Sequence, residues 1–466
     1  MSTPTGSPNA AALTRDASRH RARDDSPPGA PAAAKQDAAA LISRFQAVRN
    51  TTTGLCRHLE AEDYVGQSMP DASPAKWHLA HTSWFFEEFI LQRAIGGYRF
   101  YDERFRYLFN SYYNMVGPMH ARPQRGLLTR PTVREVLNYR AHVDERMSRL
   151  LARADRQAHL AALALGLNHE QQHQELLLTD IKHLFSCNPL LPACMPDKAR
   201  TRLGAPPLAY RALEGGLADI GHPDGGFCFD NELPRHRTWI EPFQLANRPV
   251  TNAEFAEFVR CDGYRKPALW LSDGWVAVQS GQWQRPLYWS ESLDHEFTLA
   301  GLRDIDPEAP VCHVSYYEAD AFARWAQARL PSEQEWECAA ATLSPTGAAA
   351  GNFLEAGNLH PVPAGTQSVS GPASAVAGQD DSHPPTLVQM LGDVWEWTRS
   401  PYVPYPGFRP LEGALGEYNG KFMVNQLVLR GGSCATPASH IRTTYRNFFP
   451  PAARWQFSGL RLARDG

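Results

Sequence analysis

The texture of the chain changes at about Arg211, and that change limits the folds open to it. From about Asp37 to Cys187 the residues read helical. AALISRFQAVRNTTTGLCRHLEAEDY sets Leu41, Phe45, Val48 and Leu55 at near-helical spacing. SPAKWHLAHTSWFFEEFILQRAI opens on Ser73-Pro74, an N-cap followed by proline at the first helical position. TRPTVREVLNYRAHVDERMSRLLARA opens on a cap-like threonine and carries Val133, Val136, Leu137 and Val143. QAHLAALALGLNHEQQHQELLLTDIKHLFS supplies a fourth helix. Four helices of this length predict an antiparallel bundle. Between the second and third runs a long aromatic connection, the kind that is functional or lid-like. Past Arg211, short segments alternate with Gly, Pro, Asn and Asp turns. Two helical stretches, VTNAEFAEFVR and SYYEADAFARWAQAR, sit among short strands, an α+β pattern. The expected organisation is a disordered tail over 1–36, a four-helix bundle over 37–190, a Pro-rich linker over 191–210 and an α+β domain over 211–466. The stretch from ATLSPTGAAAGNF to GQDDSHPPT is low in large apolar residues and is expected to be a long surface loop.

Composition narrows the classes of function. With 43% hydrophobic residues, 12 Trp, 16 Tyr and 21 Phe, most of a 466-residue chain has the material for a packed core. A formal net charge of −3 gives no pull towards nucleic acid or anionic lipid, so neither is an expected partner. No apolar run is long enough to span a bilayer, and the Pro- and Ala-rich start lacks the apolar stretch of a secretory signal. None of the eight cysteines forms a C-x-x-C pair, which fits reduced thiols and a cytoplasmic location. The sequence leaves a homo-oligomer open.

Chemistry concentrates in NHEQQHQELLLTD, Asn168 to Asp180. His169 and His173 are four apart on a helix, about 6 Å from each other on one face, so both imidazoles can meet one cation. The letters also read H-E-x-x-H, the zinc-protease pattern in which Glu170 would be the base. The extended version of that pattern needs Gly and His where Leu176 and Thr179 stand, and no carboxylate-bearing helix follows. Glu170 therefore reads as a helix-surface carboxylate, and Gln in its place is expected to leave an oxidative activity largely intact. A third ligand is available upstream in WHLAHTSWFFEE, from His78 or His81. Three nitrogen ligands suit zinc or non-haem Fe(II), and spacing does not choose between them.

WHLAHTSWFFEE, NSYYNMVGP, HEQQHQELLLTD, LGDVWEWT, VLRGGSCATP and IRTTYRNFFPPAARWQFSGLRLA occur in this order. Together they resemble the ergothioneine-biosynthesis sulfoxide synthases, from about Asp37 to the C-terminus. The resemblance implies an α plus α+β chain: a DinB-like four-helix bundle followed by a formylglycine-generating-enzyme-type domain with a C-type-lectin-like fold. It implies Fe(II) and O₂, and a sulfoxide bond joining a sulfur donor to hercynine (Nα-trimethylhistidine). His81, His169 and His173 match the iron ligands, which leaves His78 a neighbouring structural histidine. Gln172 matches a residue that helps hold hercynine, Asn447 the asparagine facing it and Phe448 the aromatic beside it. Tyr112 and Tyr113 match the position of a proton donor, a role suited to a phenol. Arg122 and Arg125 match a pair that binds the donor's carboxylate, as guanidinium forks do. Members that use γ-glutamylcysteine carry an aspartate at the position of Phe449. Phenylalanine there, with the NSYYN loop, implies free cysteine as donor.

Four rivals remain. A metal hydrolase would use Glu170. Formylglycine generation, prompted by RGGSCATP, resembles a site needing two cysteines in this region, where only Cys434 stands; Cys434 is expected to be a buried small residue. A lectin-like binding module would need no metal. The sister enzyme joining cysteine to unmethylated histidine on the path to ovothiol usually carries an added methyltransferase domain, which is not expected here.

Overall fold

The computed structural model describes residues 38–198, 204–343, 351–366 and 384–466. The expected tail over 1–36 lies outside them. The four long helices are α1 (Ala38–Leu55), α2 (Ala75–Phe86), α3 (Val133–Leu151) and α4 (Leu160–Ser186). Three differ from expectation in detail. The first ends at Leu55 rather than reaching Tyr64: Thr51, Thr52, Thr53 and Gly54 are weak helix formers, and the Tyr64 hydroxyl folds back to the Cys56 carbonyl. The second starts at Ala75, with Pro74 as its cap. Ser73 is not the cap; its N–H donates to Asp180 at 2.7 Å and its Oγ accepts from Arg125 at 2.9 Å. It then passes into a π-helical turn, Glu87–Leu91. The third opens on a Thr132–Glu135 capping box, three residues past the cap-like Thr129 on which the expected stretch begins.

The bundle is not uniformly antiparallel. Ser73 meets Asp180 while His81 meets His169, so α2 and α4 run in opposite directions. Lys76 reaches the Pro131 carbonyl while Tyr139 donates to Glu87 further along, so α2 and α3 run the same way. Two parallel neighbours need a long crossover, and the aromatic connection over 95–132 supplies it. Gly166 lets α4 pass close to α2: a Cβ there would lie 2.7 Å from Phe86 and 2.9 Å from Phe85.

In the second half, α5 (Asn252–Arg260) and α7 (Tyr316–Trp325) are the expected helices. Two more were not expected, α6 (Ser272–Gly281) and α8 (Glu333–Ala340), each too short for a clear period. Helices α5, α7 and α8 all open on a Ser/Thr-x-x-Glu capping box. The strands are β1 (Tyr210–Leu213), β2 (Gly216–Ile220), β3 (His236–Ile240), β4 (Phe243–Ala246), β5 (His295–Thr298), β6 (Gly301–Asp304), β7 (Trp395–Pro401), β8 (Leu427–Arg430), β9 (Asn447–Phe449), β10 (Ser458–Gly459) and β11 (Ala463–Asp465). They form sheets β1-β4-β11 and β10-β7-β8-β9 and the hairpins β2-β3 and β5-β6. Buried Trp336, Trp395 and Trp397 lie in the core of this half.

Two stretches that read as surface are partly inside. Cys194, in the expected linker, is buried and its N–H donates to Leu299 at 2.9 Å; the same linker's last residue, Tyr210, already belongs to β1. Asn352, Phe353 and His360, in the expected surface loop, are buried, and the Asn352 amide spans Asp393 and the His360 carbonyl. Polar side chains anchor that stretch, so its low apolar content misleads. Its remainder, 344–350 and 367–383, lies outside the described residues. Cys434 is fully buried, as expected.

Candidate metal centre

Helix α4 has no solvent face over its middle, because each of three faces meets a different neighbour. At about 100° per residue, 168, 171, 172, 175 and 182 share one face, 169, 173 and 180 a second, and 170 and 174 a third. The first face locks onto the second half of the chain. Asn168 accepts from His440 at 3.0 Å, Gln171 donates to Ser439 at 2.8 Å, and Gln172 donates to the Tyr445 hydroxyl at 2.5 Å. Glu175 accepts from Trp395 at 2.8 Å, Thr436 at 2.7 Å and Ser433. Lys182 meets His313 at 2.7 Å. The metal-type face is thereby aimed at α2 by contacts on both sides of it.

The third face corrects the reading of Glu170. It is fully buried, not a surface carboxylate: Arg49 reaches it at 2.9 Å, Thr52 at 2.7 Å, and Arg140 also bonds it. Burial alone would push its carboxyl up, but Arg140 and Arg49 hold it at about 2. Both of its oxygens are engaged, by two arginines and a hydroxyl, so it is no base for an attacking water.

On the second face, His169 and His173 meet His81 of α2. Nitrogens of the three, all buried, lie within 4.8 Å of one another, the one such His/Cys/Asp/Glu cluster among the described residues. His81 Nδ1 donates to the Phe109 carbonyl at 2.6 Å, which leaves Nε2 bare, and that nitrogen stands 3.2 Å from His169 Nε2. His173 Nδ1 faces His78 Nδ1 at 2.8 Å, so its free nitrogen is Nε2. Burial above all drives the three imidazoles towards the neutral form: His169 is lowered to about 3, and His81 and His173 fall well below the ordinary histidine value. Neutral nitrogens in a dry site are the donors a divalent transition metal takes, and a cation between them relieves lone pairs that otherwise face each other.

Around the three rings is an aromatic wall. Trp77 and Trp84 both stack on His81, at 4.6 and 5.4 Å between ring centroids. Tyr113 is buried 5.6 Å from Trp84, with no well-formed hydrogen bond to its hydroxyl. Tyr112 lies 4.8 Å from Tyr113 and is only half-buried. Burial raises both phenols, so both hold their protons at neutral pH. Tyr418, which sequence reasoning missed, packs 5.6 Å from His169 and 6.1 Å from Tyr112. Its segment, GALGEYNG, has no period, and an aromatic in a glycine-rich turn was the only signal.

The arginine pair divides. Arg125 is buried, stacks 3.4 Å over Trp77, and bonds only the hydroxyls of Ser73 and Ser111. Burial, then Arg122, lowers it to about 9. Arg122 is exposed and bonds the Asp71 carbonyl. Arg454, by contrast, is committed to Glu318 at 2.7 and 2.9 Å. On β9, Asn447 accepts from the Phe448 N–H at 2.9 Å, Phe448 stacks on Tyr402 at 4.0 Å and on Phe422 at 5.9 Å, and Phe449 packs 6.4 Å from Trp455. Phe422 in turn touches Tyr112 at 5.2 Å, so the strand connects with the site through that ring. No helix among the described residues is long and apolar enough to cross a membrane.

The sulfatase-modifying factor enzyme 1-like domain model matches residues 209–466 and the DinB superfamily model residues 44–177. The chain is 33% identical over 464 residues to the hercynine oxygenase of Mycolicibacterium thermoresistibile, covering 92% of this chain and 95% of that one. It is 36% identical over 324 residues to the hercynine oxygenase of Mycolicibacterium smegmatis, covering 65% and 71%. The second half alone has wider kin: the formylglycine-generating enzyme of Streptomyces coelicolor is 29% identical over 314 residues, covering 59% of this chain and 92% of that one.

Proposed function

The chain belongs to the hercynine oxygenase family, and on that premise we propose that it is a non-haem Fe(II), O₂-dependent sulfoxide synthase of ergothioneine biosynthesis that joins hercynine to cysteine. The buried cluster of His81, His169 and His173 carries the reading, since it offers three neutral nitrogens and no carboxylate ligand. When bound, ferrous ion supplies open positions for both substrates and electrons for O₂ activation. The stoichiometry closes without an external reductant. The imidazole C–H and the thiol S–H are lost, a C–S bond forms, one oxygen atom stays on sulfur and the other leaves as water.

The chain's own residues orient and protonate. Gln172 spends its NH₂ on Tyr445, which leaves its carbonyl oxygen for an imidazole N–H. The aromatic surface of Phe448, beside Tyr402 and Phe422, suits a quaternary ammonium, with Asn447 next to it. Tyr113 and Tyr112 hold the proton to be delivered, with the fully buried Tyr113 hydroxyl the drier of the two. Arg125, buried with no carboxylate hydrogen-bonded to it, awaits the donor's carboxylate, with Arg122 at its rim. Phe449 cannot pair with the ammonium of a γ-glutamyl group, which favours free cysteine.

Arg125→Gln is expected to raise KM for the sulfur donor roughly 10- to 100-fold, the worth of a charge-assisted hydrogen bond of about 1.5–3 kcal/mol, with KM for hercynine little changed. Steady-state kinetics with each substrate varied in turn measures it; an unaltered donor KM removes Arg125 from the donor site. The function itself is tested by anaerobic Fe(II) reconstitution, addition of O₂ with hercynine or histidine and either cysteine or γ-glutamylcysteine, and mass spectrometry of the products. A hercynyl-cysteine sulfoxide is expected. Preferential product from histidine would move the chain to the ovothiol branch, and preferential use of γ-glutamylcysteine would overturn the donor assignment.

A further inference from the structure

Each ligand ring needs something to fix which nitrogen is bare, and the three are served differently. His81 uses a backbone carbonyl, and His169 Nδ1 is buried with no hydrogen-bond partner. His173 instead leads into a chain of side chains. His78, buried on α2, presents Nε2 to Asp180 Oδ2 at 3.0 Å. A carboxylate oxygen only accepts, so Nε2 carries the hydrogen. In the neutral ring Nδ1 is then the acceptor, and at 2.8 Å it takes the Nδ1–H of His173. The same Asp180 oxygen also accepts the Ser73 N–H at 2.7 Å, which pins the carboxylate to the start of α2.

We propose that His78 and Asp180 are positioning residues for His173: together they hold its Nδ1–H and keep Nε2 bare and aimed at His81 and His169. The inference rests on the reading of the three histidines as a metal centre. It also gives His78 a task, where sequence spacing made it only a neighbour. Carboxylate–histidine partners behind a metal ligand raise its basicity and lock its ring, and losing one typically costs 10–100-fold in metal affinity.

The test uses the full chain, loaded anaerobically with Co(II) as spectroscopic probe and with Fe(II), in competition with a chelator. His78→Leu is expected to weaken both metals about 10- to 100-fold and to move the Co(II) ligand-field bands. His78→Gln, whose amide oxygen can accept the same Nδ1–H, is expected to recover most of the affinity and the wild-type spectrum. Wild-type affinity and spectrum in His78→Leu overturn the proposal, as does a glutamine variant that loses as much as the leucine one. If the leucine variant does not fold, Asp180→Ala, which leaves the His78 Nε2–H no side-chain acceptor, decides: weakened binding with displaced bands supports the relay, and wild-type values for both overturn it. His81→Ala separates the two levels of the argument. If it binds metal as tightly as wild type, the three-histidine centre itself falls, and the relay with it.

Discussion

His169→Ala is expected to abolish bound iron and to take sulfoxide formation to the background of the assay. The three nitrogens lie within 4.8 Å of one another with no fourth His, Cys, Asp or Glu in the cluster, so nothing replaces a lost donor. If a protein site supplies a metal-binding free energy on the order of 10 kcal/mol, one donor in three is about 3 kcal/mol, or more than a hundredfold in affinity. His169 is the best of the three to remove. Its Nδ1 makes no hydrogen bond, so truncation orphans no partner there, whereas His81 and His173 hold Phe109 and His78. His183 is the control: it lies further along α4, half-buried, and bonds Ser68 at 2.7 Å. Iron per chain, by elemental analysis, and product, by mass spectrometry, should fall in His169→Ala and persist in His183→Ala. Full iron and turnover in His169→Ala would mean that the centre is elsewhere.

Sequence reaches this site unevenly, and the reasons are physical. His169 and His173 are legible because their relation is local, one helical turn apart. The two textures either side of Arg211 are legible for the same reason, since helical period and turn chemistry are properties of a few adjacent residues. Fates decided by distant partners are not. Glu170 sits among glutamines and reads as solvent-facing, yet its partners Arg49 and Arg140 arrive from α1 and α3. Glu175 is bonded by Trp395, Ser433 and Thr436, all from the other half of the chain. A helix wrapped on every side carries polar residues inward on all three faces, so the usual equation of polar with exposed fails along much of α4. The direction of α3 was hidden likewise: helix period says nothing about which way a helix runs, and only the length of the preceding connection hinted at a crossover.

Glu170→Gln is expected to destabilise the folded chain by about 3–5 kcal/mol, the typical cost of leaving a buried charge without its partner. Arg49 keeps Asp144 at 2.6 Å, but Arg140 is left without a carboxylate, beside the neutral Thr82 hydroxyl and Arg49 carbonyl. Turnover per folded molecule should survive at temperatures where the variant stays folded, because Glu170 faces α1 and α3 rather than the rings. A hydrolytic base would show the opposite pattern, with stability kept and activity lost. The pH dependence has a definite sign. The folded carboxyl is held at about 2, below the unfolded value, so its contribution is present above the unfolded value of about 4.3 and drains away as pH falls towards 2. The gap between wild type and Glu170→Gln should therefore be flat at neutral pH and narrow only below that range. Denaturant unfolding monitored across pH measures the gap, and a cycle with Arg140→Met isolates the pair, with a coupling of at least about 1 kcal/mol expected. A loss within about 0.5 kcal/mol, the range of an ordinary surface substitution, would show that the ion network does not hold α4 in place.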